Sequence, residues 1–492
     1  MENQTEKTNN DNDNLSMINP PKSAYLWLAG IFAIMFAVIY IGMLLGVHFF
    51  TVSSGNNVMS KTSANLMFAV LLLAVLATMY MYIIFSRKEL LFNLKIPAAL
   101  STIFAVVAIA NIFISYLNPY AMLLSLTALW ALPFCKKRDA FVLNTFSTLV
   151  AAFMLIDIMD DDTLFAVAIF VAIAGLVGGA IGAYSFPNAM TRTASILRAF
   201  VTVAAVMALL GVMLSAYSLD VQPFIDNIIY IGVSAAGQLM LSVVLVPIVE
   251  SVFNIVTDYK LVELTNHKSP LIHRLSVEAP GTFNHCMAVA NFAEICANAI
   301  GEDPYLARAC AYYHDMGKLN NAMYFTENQA GYNPHDDILP EVSAEIIRQH
   351  TIDGYNICKE NRIPEEVARV TIEHHGTLPI VYFFNKAKTL TDGEVDMADY
   401  RYRGKTPTSK IAAILMICDS AEAAIRAMDN PDGERVNKLL SAMIDERIKL
   451  GQFANCDITM RDLNAVRGAI VGAFGGLYHK RIKYGGRGDA HV

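Results

Sequence analysis

Hydrophobic positions are spread unevenly along the chain. Between residues 24 and 250 they form long runs with almost no charge; beyond 250 they shorten to stripes at helical spacing. The first run covers 24–50. At about 1.5 Å per residue it makes a helix of roughly 40 Å, enough to cross a bilayer with some tilt. Further uncharged runs follow at about 64–86, 96–117, 119–134, 140–156, 163–186, 199–217 and 227–249. Together they predict eight spans. The runs 96–117 and 119–134 are separated only by Asn118-Pro119, which predicts a hairpin or one broken helix. Gly175, Gly178, Gly179 and Gly182 give one span a small-residue face suited to close helix packing.

Past Tyr259 the pattern reads as shorter helices. Ala288-Val289-Ala290 and Phe292-Ala293 continue into Ile295, with Gly301 as a stop. Leu306 to Tyr313 runs apolar into His314-Asp315. Pro340 and Ser343 open a helix through Ile346, Ile347 and His350, and Pro364-Glu365-Glu366 opens another towards His374. Lys410 to Ala424 is a strongly apolar helix carrying Asp419. No alternating strand pattern of any length appears. Residues 319–339 and 377–406 are long, polar and irregular, and read as substrate loops. The expected fold class is therefore all-α: a polytopic helical membrane domain of about eight transmembrane helices, then an all-helical soluble domain.

Charge sharpens this division. Residues 24–250 hold 18 charged residues in 227, whereas 251–492 hold 57 in 242. The expected domains are a disordered, Asn-rich tail at 1–23, a membrane domain at 24–250, a soluble domain at 251–484 and a short tail at 485–492. The first apolar run is too long for a signal-peptide core and has no small-residue cleavage site. Basic loop residues set the orientation. With the N-terminus inside, cytoplasmic loops hold Arg87, Lys88, Lys95, Lys136, Lys137, Arg138, Arg192 and Arg198, and outer loops hold only Lys61. The outer side also carries Asp160, Asp161, Asp162, Asp220 and Asp226, and Asp157, a turn before that cluster, reads as interfacial. No span contains a Lys/Asp series, which argues against an ion-coupled transporter. Net charge is −7 and no basic run exceeds Lys136-Lys137-Arg138, so no nucleic-acid polymer is expected as a partner. Seven cysteines without a CxxC pair are not a disulfide framework, and place the soluble half in a reducing compartment.

Ten of the eleven histidines lie beyond residue 260. His314-Asp315-Met316-Gly317-Lys318 sits among His285, His350, the pair His374-His375, and Asp419. Nitrogen and carboxylate ligands at these separations suit a dinuclear metal hydrolase. Asp419 lies inside an apolar run, where a carboxylate is costly unless it is paired or binds metal. Adjacent helical residues point about 100° apart, so His374 and His375 serve one site only near a helix end, which Gly376 supplies. His267, His273, His479 and His491 read as ordinary satisfied or exposed histidines.

Several motifs resemble a known family. Glu278 to His285, Ala311 to Leu319, Glu327-Asn328-Gln329, Asn333-Pro334-His335-Asp336, Glu373 to Thr377 and Cys418 to Ala424 closely resemble the bacterial membrane-bound seven-transmembrane HD-domain (HDIG) phosphodiesterases that hydrolyse cyclic di-AMP. The likeness covers nearly all of 260–484, and the family's topology of one leading helix and a seven-helix module agrees with eight spans. The resemblance implies a first metal held by His285, His314, Asp315 and Asp419, and a second by Asp315, His350, His374 and His375, with Asp315 as bridge. It implies two divalent ions, Mn or Fe on a nitrogen and oxygen ligand set. His314, Asp315 and Lys318 take catalytic roles, and Lys318, Arg401 and Arg403 are expected to contact substrate. His335 matches a family motif without a metal role. The expected partners are a cyclic dinucleotide, opened to linear pApA, the lipid bilayer, and a second copy in a homodimer. The expected location is the bacterial inner membrane, with the N-terminus and HD domain cytoplasmic.

This chain departs from the family in three places. The family usually has proline where Arg403 stands, Met316 replaces the isoleucine of HDIG, and 51–63 is a short polar loop where relatives insert an extracellular sensor domain. His-His-Gly-Thr-Leu-Pro at 374–379 differs from the His-His-Glu…Gly-Tyr-Pro segment of cyclic di-GMP enzymes. The rival readings are an HD phosphohydrolase of another nucleotide, a catalytically silent nucleotide receptor, and a transporter with a regulatory HD domain.

Overall fold

The computed structural model describes residues 20–53, 62–158, 162–185, 191–217, 221–391 and 393–477. The chain divides into two compact units, Met1–Tyr259 and Lys260–Val492. No strand occurs among the described residues; one isolated bridge joins Pro379 and Arg401.

The first unit is built on long apolar helices: α1 (Lys22–Ser53), α2 (Thr62–Ser86), α3 (Lys95–Leu117), α5 (Lys137–Ile158), α6 (Asp162–Tyr184), α7 (Arg192–Tyr217) and α8 (Val221–Phe253). Each is long and apolar enough to cross a membrane. Lys61, Asp160, Asp161, Asp220, the tail to residue 19, most of the 51–63 loop and the C-terminal tail lie outside the described residues, as do the side chains of Asp157 and Asp162.

The expected run at 119–134 is not an eighth long helix. α3 stops where Asn118 becomes extended (φ −164°, ψ 125°) and Pro119 follows. The chain then forms a 3₁₀ turn (Pro119–Ala121), a short helix α4 (Leu126–Ala131) and, around Pro133, a second 3₁₀ turn (Leu132–Phe134). This segment folds back along α3 as a hairpin: Asn111 of α3 accepts from the Leu123 amide (2.7 Å), and Leu132 and Phe134 line a cleft together with Ile96 at the start of α3. Among the described residues seven helices are span-length, and the apolar segment 119–134 is broken by its two prolines.

Broken backbone inside an apolar bundle needs hydrogen-bond partners from its neighbours. Gln238 of α8 accepts from the Ser125 amide (2.9 Å), Ser234 donates to the Met122 carbonyl (2.8 Å), and Asn144 of α5 accepts from the Ala128 amide (3.1 Å). The other end of Asn144 donates to the Gly175 carbonyl of α6 (2.9 Å). The glycine face on α6 is what lets α5 and α7 come this close: a Cβ on Gly179 would meet Asn144 Nδ2 at 2.6 Å, and one on Gly178 would meet Val206 at 2.6 Å. Ion pairs gather the loop charges at one end of the bundle, with Arg87 held by Glu89 (2.8 Å) and Asp139, and Lys136 reaching Glu89 (3.9 Å).

The second unit contains α10 (Pro270–Glu278), α11 (Pro280–Ile300), α12 (Pro304–Tyr313), α13 (Pro340–Glu360), α14 (Glu365–Ala368), α15 (Val370–Glu373), α16 (Val381–Leu390), α17 (Lys410–Arg426), α18 (Gly433–Lys449) and α19 (Met460–Leu477), while α9 (Asp258–Leu264) leads into it. α17 is its axis: every residue from Ile411 to Asp419 is buried, and α11, α12, α15 and α18 pack around it. The expected loop 377–406 contains α16, which buries Phe383, Phe384 and Ala387. Their i, i+1, i+4 spacing is an amphipathic face hidden between polar flanks.

Replacing Asn144 with alanine is expected to destabilise the detergent-solubilised protein by about 1–3 kcal/mol, because the buried Ala128 amide loses its partner. A melting temperature unchanged in Asn144→Ala would remove that role.

Candidate metal centre

α11, α12, α13, α15 and α17 each deliver ligands to one buried point. His285 lies in the second turn of α11 and Asp419 in the middle of α17. His314 ends α12, and Asp315 opens the 3₁₀ segment Met316–Tyr324. Gly317 sits in that turn against α13, where a Cβ would lie 1.8 Å from the His350 carbonyl, so only glycine lets the two segments approach. His374 and His375 follow the last turn of α15, and Gly376 in the left-handed region (φ +52°) turns the chain away directly afterwards. That turn lets two adjacent histidines face one site.

Two sets of ligand atoms result, each within 4.8 Å of one another: His285, His314, Asp315 and Asp419 in one, and His350, His374 and His375 in the other. Asp315 divides its two oxygens between them. Oδ2 lies 3.2 Å from His314 Nε2 and 3.6 Å from His285 Nε2, whereas Oδ1 lies 3.4 Å from His350 Nε2 and 3.7 Å from His374 Nε2. His285 Nε2 is 2.9 Å from Asp419 Oδ1, and His375 Nδ1 is 3.6 Å from Asp419 Oδ2.

The rings are oriented from behind. His314 Nδ1 donates to the Ala311 carbonyl (2.7 Å), His374 Nδ1 to the Val370 carbonyl (3.2 Å) and His350 Nδ1 to the Ile347 carbonyl. His285 Nδ1 is held by Glu422 (2.6 Å). With Nδ1 occupied, each ring turns Nε2 inward, as metal-ligating histidines do.

Electrostatics separate the two sets. Burial pushes His375 down to about 3, and also lowers His350 and His374, so these rings are neutral with free lone pairs. Burial works against charge on His285 too, but the Asp419 and Glu422 carboxylates outweigh it and raise it to about 10. Asp315 stays well below the usual carboxylate range, because the charges of His314 and Lys318 outweigh its burial. Even so, Asp315 Oδ1 and Oδ2 and His314 Nε2 have no partner in hydrogen-bonding geometry, although the Lys318 ammonium lies 2.8 Å from Oδ2. Unsatisfied buried nitrogen and oxygen atoms aimed at one point fit a divalent cation once His314 has lost its proton.

Lys318 lies in the site, between Asp315 and Glu327 (2.8 Å each) and over the Phe325 ring (4.9 Å). Arg401 and Arg403 do not line the cleft above it. Arg401 donates to the Thr377 carbonyl (3.1 Å) beside the Pro379–Arg401 bridge, and Arg403 is exposed. That bridge instead sets Tyr402 against His375, with ring centres 4.3 Å apart. The guanidinium lining the cleft is Arg426, with Ser420 beside it; the cleft measures about 660 Å³, counting solvent at its mouth. Glu422 and Arg426 stand three and seven residues after Asp419, on the same helix face, and that spacing is a signal that could have found them. Glu327 and Tyr402 come from irregular segments with no such period. His335 is buried under Phe383 (4.8 Å) and donates to the Tyr324 carbonyl (2.9 Å), so it pins the 3₁₀ segment outside the ligand cluster.

Residues 282–424 match the model of the HD domain family. The molecule is thus a membrane protein of apolar span-length helices carrying an HD domain with a His/Asp cluster that fits a divalent metal site. The chain is homologous to proteins named cyclic-di-AMP phosphodiesterase PgpH. It is 41% identical to that of Listeria monocytogenes over 256 residues, 52% of this chain and 36% of the relative, and 36% identical to that of Bacillus subtilis over 324 residues, 65% of this chain and 45% of the relative. The chain therefore spans less than half the length of these relatives. A crystal structure of the L. monocytogenes PgpH HD domain in complex with cyclic-di-AMP is 43% identical, covers 44% of this chain and all of that chain, and superposes with a TM-score of 0.42.

Two measurements test this centre. Glu422→Gln should weaken metal binding by about 10–100-fold with the fold retained, because a carboxylate behind a ligating histidine orients it and raises its basicity. Metal affinity should also rise with pH from neutral towards about 10, since His285 must shed a proton before it ligates. A flat pH profile in a calorimetric titration would contradict the doubly paired His285.

Proposed function

We propose that this chain is a membrane-anchored, metal-dependent phosphodiesterase that opens a cyclic dinucleotide, cyclic di-AMP to linear pApA, on the cytoplasmic side of a bacterial inner membrane. The observation that carries the reading is the division of the Asp315 carboxylate between two ligand sets. It is supported by the chain's 41% and 36% identity to relatives named cyclic-di-AMP phosphodiesterase.

In this reading His285, His314, Asp315 and Asp419 hold one divalent ion, and Asp315, His350, His374 and His375 hold a second, Mn or Fe. Bound there, the ions supply Lewis acidity that activates water near neutral pH and neutralises charge on the phosphodiester. Asp315 fixes the spacing of the two positions. Glu422 and the backbone carbonyls behind the rings keep the Nε2 atoms of His285, His314, His350 and His374 directed inward. Lys318, anchored by Glu327, is within reach of a phosphate oxygen at the floor of the cleft. Tyr402 offers a ring face for a base, and Arg426 a guanidinium for the second phosphate. Arg401 shapes the 377–402 strap that carries Tyr402, through its bond to the Thr377 carbonyl and its bridge to Pro379.

With Mn²⁺ added, the detergent-solubilised protein should release pApA from cyclic di-AMP, and Asp315→Ala should abolish this. Chelation should silence the wild type, and re-addition of metal should restore it. Turnover undiminished in Asp315→Ala sinks the shared-ligand assignment; turnover of another nucleotide in preference to cyclic di-AMP sinks the substrate assignment alone.

A further inference from the structure

We propose that the basic end of the first unit is a binding site for the headgroup of an anionic phospholipid. The first unit contains a cleft of about 1640 Å³, counting solvent at its mouth. Its walls carry five cations, Arg87, Lys136, Lys137, Arg138 and Arg198, against one carboxylate, Asp258. Two of the guanidinium groups are built into the fold, Arg87 being 4% exposed and Arg198 6%. Arg87 is already neutralised by Glu89 and Asp139. Lys137 and Arg138 are different: neither pairs with a carboxylate among the described residues, and Arg138 spends its donors on the Tyr82 hydroxyl (3.2 Å) and the Ser86 carbonyl (3.5 Å). Concentrated positive charge on low-dielectric walls attracts an anion.

The walls select a lipid over a soluble anion. Between the cations the cleft is lined by Leu90, Ile96, Leu132 and Phe134. Lys137 is the first residue of α5, so the charge stands where an apolar span emerges at headgroup depth. Phe85 and Phe92, flanking Arg87 in sequence, are 71% and 46% exposed, which gives this end an apolar surface for acyl chains. A phosphate among cations with its chains along apolar helices is how basic pockets between membrane helices hold lipid headgroups.

The remaining wall is the connector Ile255 to Tyr259, which continues at Lys260 into the second unit. Tyr259 is hydrogen-bonded to Ser195 of α7 inside the first unit. A lipid in the cleft therefore touches the segment that leads to the HD domain.

Native mass spectrometry of the detergent-solubilised full chain tests the site, using phosphatidylglycerol and phosphatidylcholine with identical acyl chains. Phosphatidylglycerol should be retained at least tenfold more, and K137Q/R138Q should reduce its retention by about fivefold for each cation removed. The charge-conserving K137R/R138K should retain it, and the single variant K137Q carries the test if the double variant does not fold. K88Q, which removes an exposed cation at the same end but outside the cleft, should bind as the wild type does. Equal retention of both lipids, or an equal loss in K88Q, overturns the site. Displacement of phosphatidylglycerol by millimolar glycerol phosphate overturns the lipid and assigns the cleft to a soluble phosphate.

Discussion

The Asp315 carboxylate is 1% exposed, at the point where five helices bring their ligands together. A buried ion of this kind costs several kcal/mol unless opposite charge stands close by. The second unit meets that demand in two ways at once. Lys318 lies 2.8 Å from Oδ2, while histidine nitrogens flank both oxygens at 3.2 to 3.7 Å. Burial lowers the pKa of the rings on the Oδ1 side, whereas neighbouring carboxylates outweigh burial and raise that of the rings on the Oδ2 side, so the carboxylate has two unlike halves. The surrounding fold follows from this: Gly317 brings the 3₁₀ turn onto α13, Gly376 turns the chain after His375, and α17 presents Asp419 at the end of the buried apolar run Ile411–Cys418.

The first unit solves a related problem with neutral groups. Its broken passage, 118–134, exposes amides and carbonyls within an apolar bundle, and Asn111, Asn144, Ser234 and Gln238 supply the partners. These residues are scattered over three helices. Each alone looks like a tolerated polar residue in a span; together they are a scaffold for one irregular segment. The basic cleft stands at one end of this scaffold, and its charge comes from Arg87 and Lys136 between helices, from Lys137 and Arg138 in the first turn of α5 and from Arg198 in the second turn of α7.

Much was legible in the sequence because the signals were strong and local. Charge-free runs of more than twenty residues can only be buried in protein or lipid, and 18 charges in 227 residues against 57 in 242 separate the two halves. The His/Asp residues were legible as a metal set because their side chains have few other reasons to sit in apolar helices. Where Arg401 and Arg403 point was not legible, because a basic residue in a polar loop carries no information about direction. A backbone bridge turns Arg401 to Thr377 and puts Tyr402 into the cleft instead.

The sequence by itself determined the all-helical class, the apolar spans and the chemical type of the centre. These follow from hydropathy, periodicity and ligand chemistry, which are properties of residues and their near neighbours. Only the tertiary structure decided that Asp315 gives one oxygen to each ligand set, that Glu422 rather than water backs His285, and that the apolar segment 119–134 is a braced hairpin. Each of these depends on contacts between residues tens to more than a hundred positions apart, such as His285 with Glu422 and Ser125 with Gln238. Such contacts are set by how helices pack, and no local pattern in the chain encodes them.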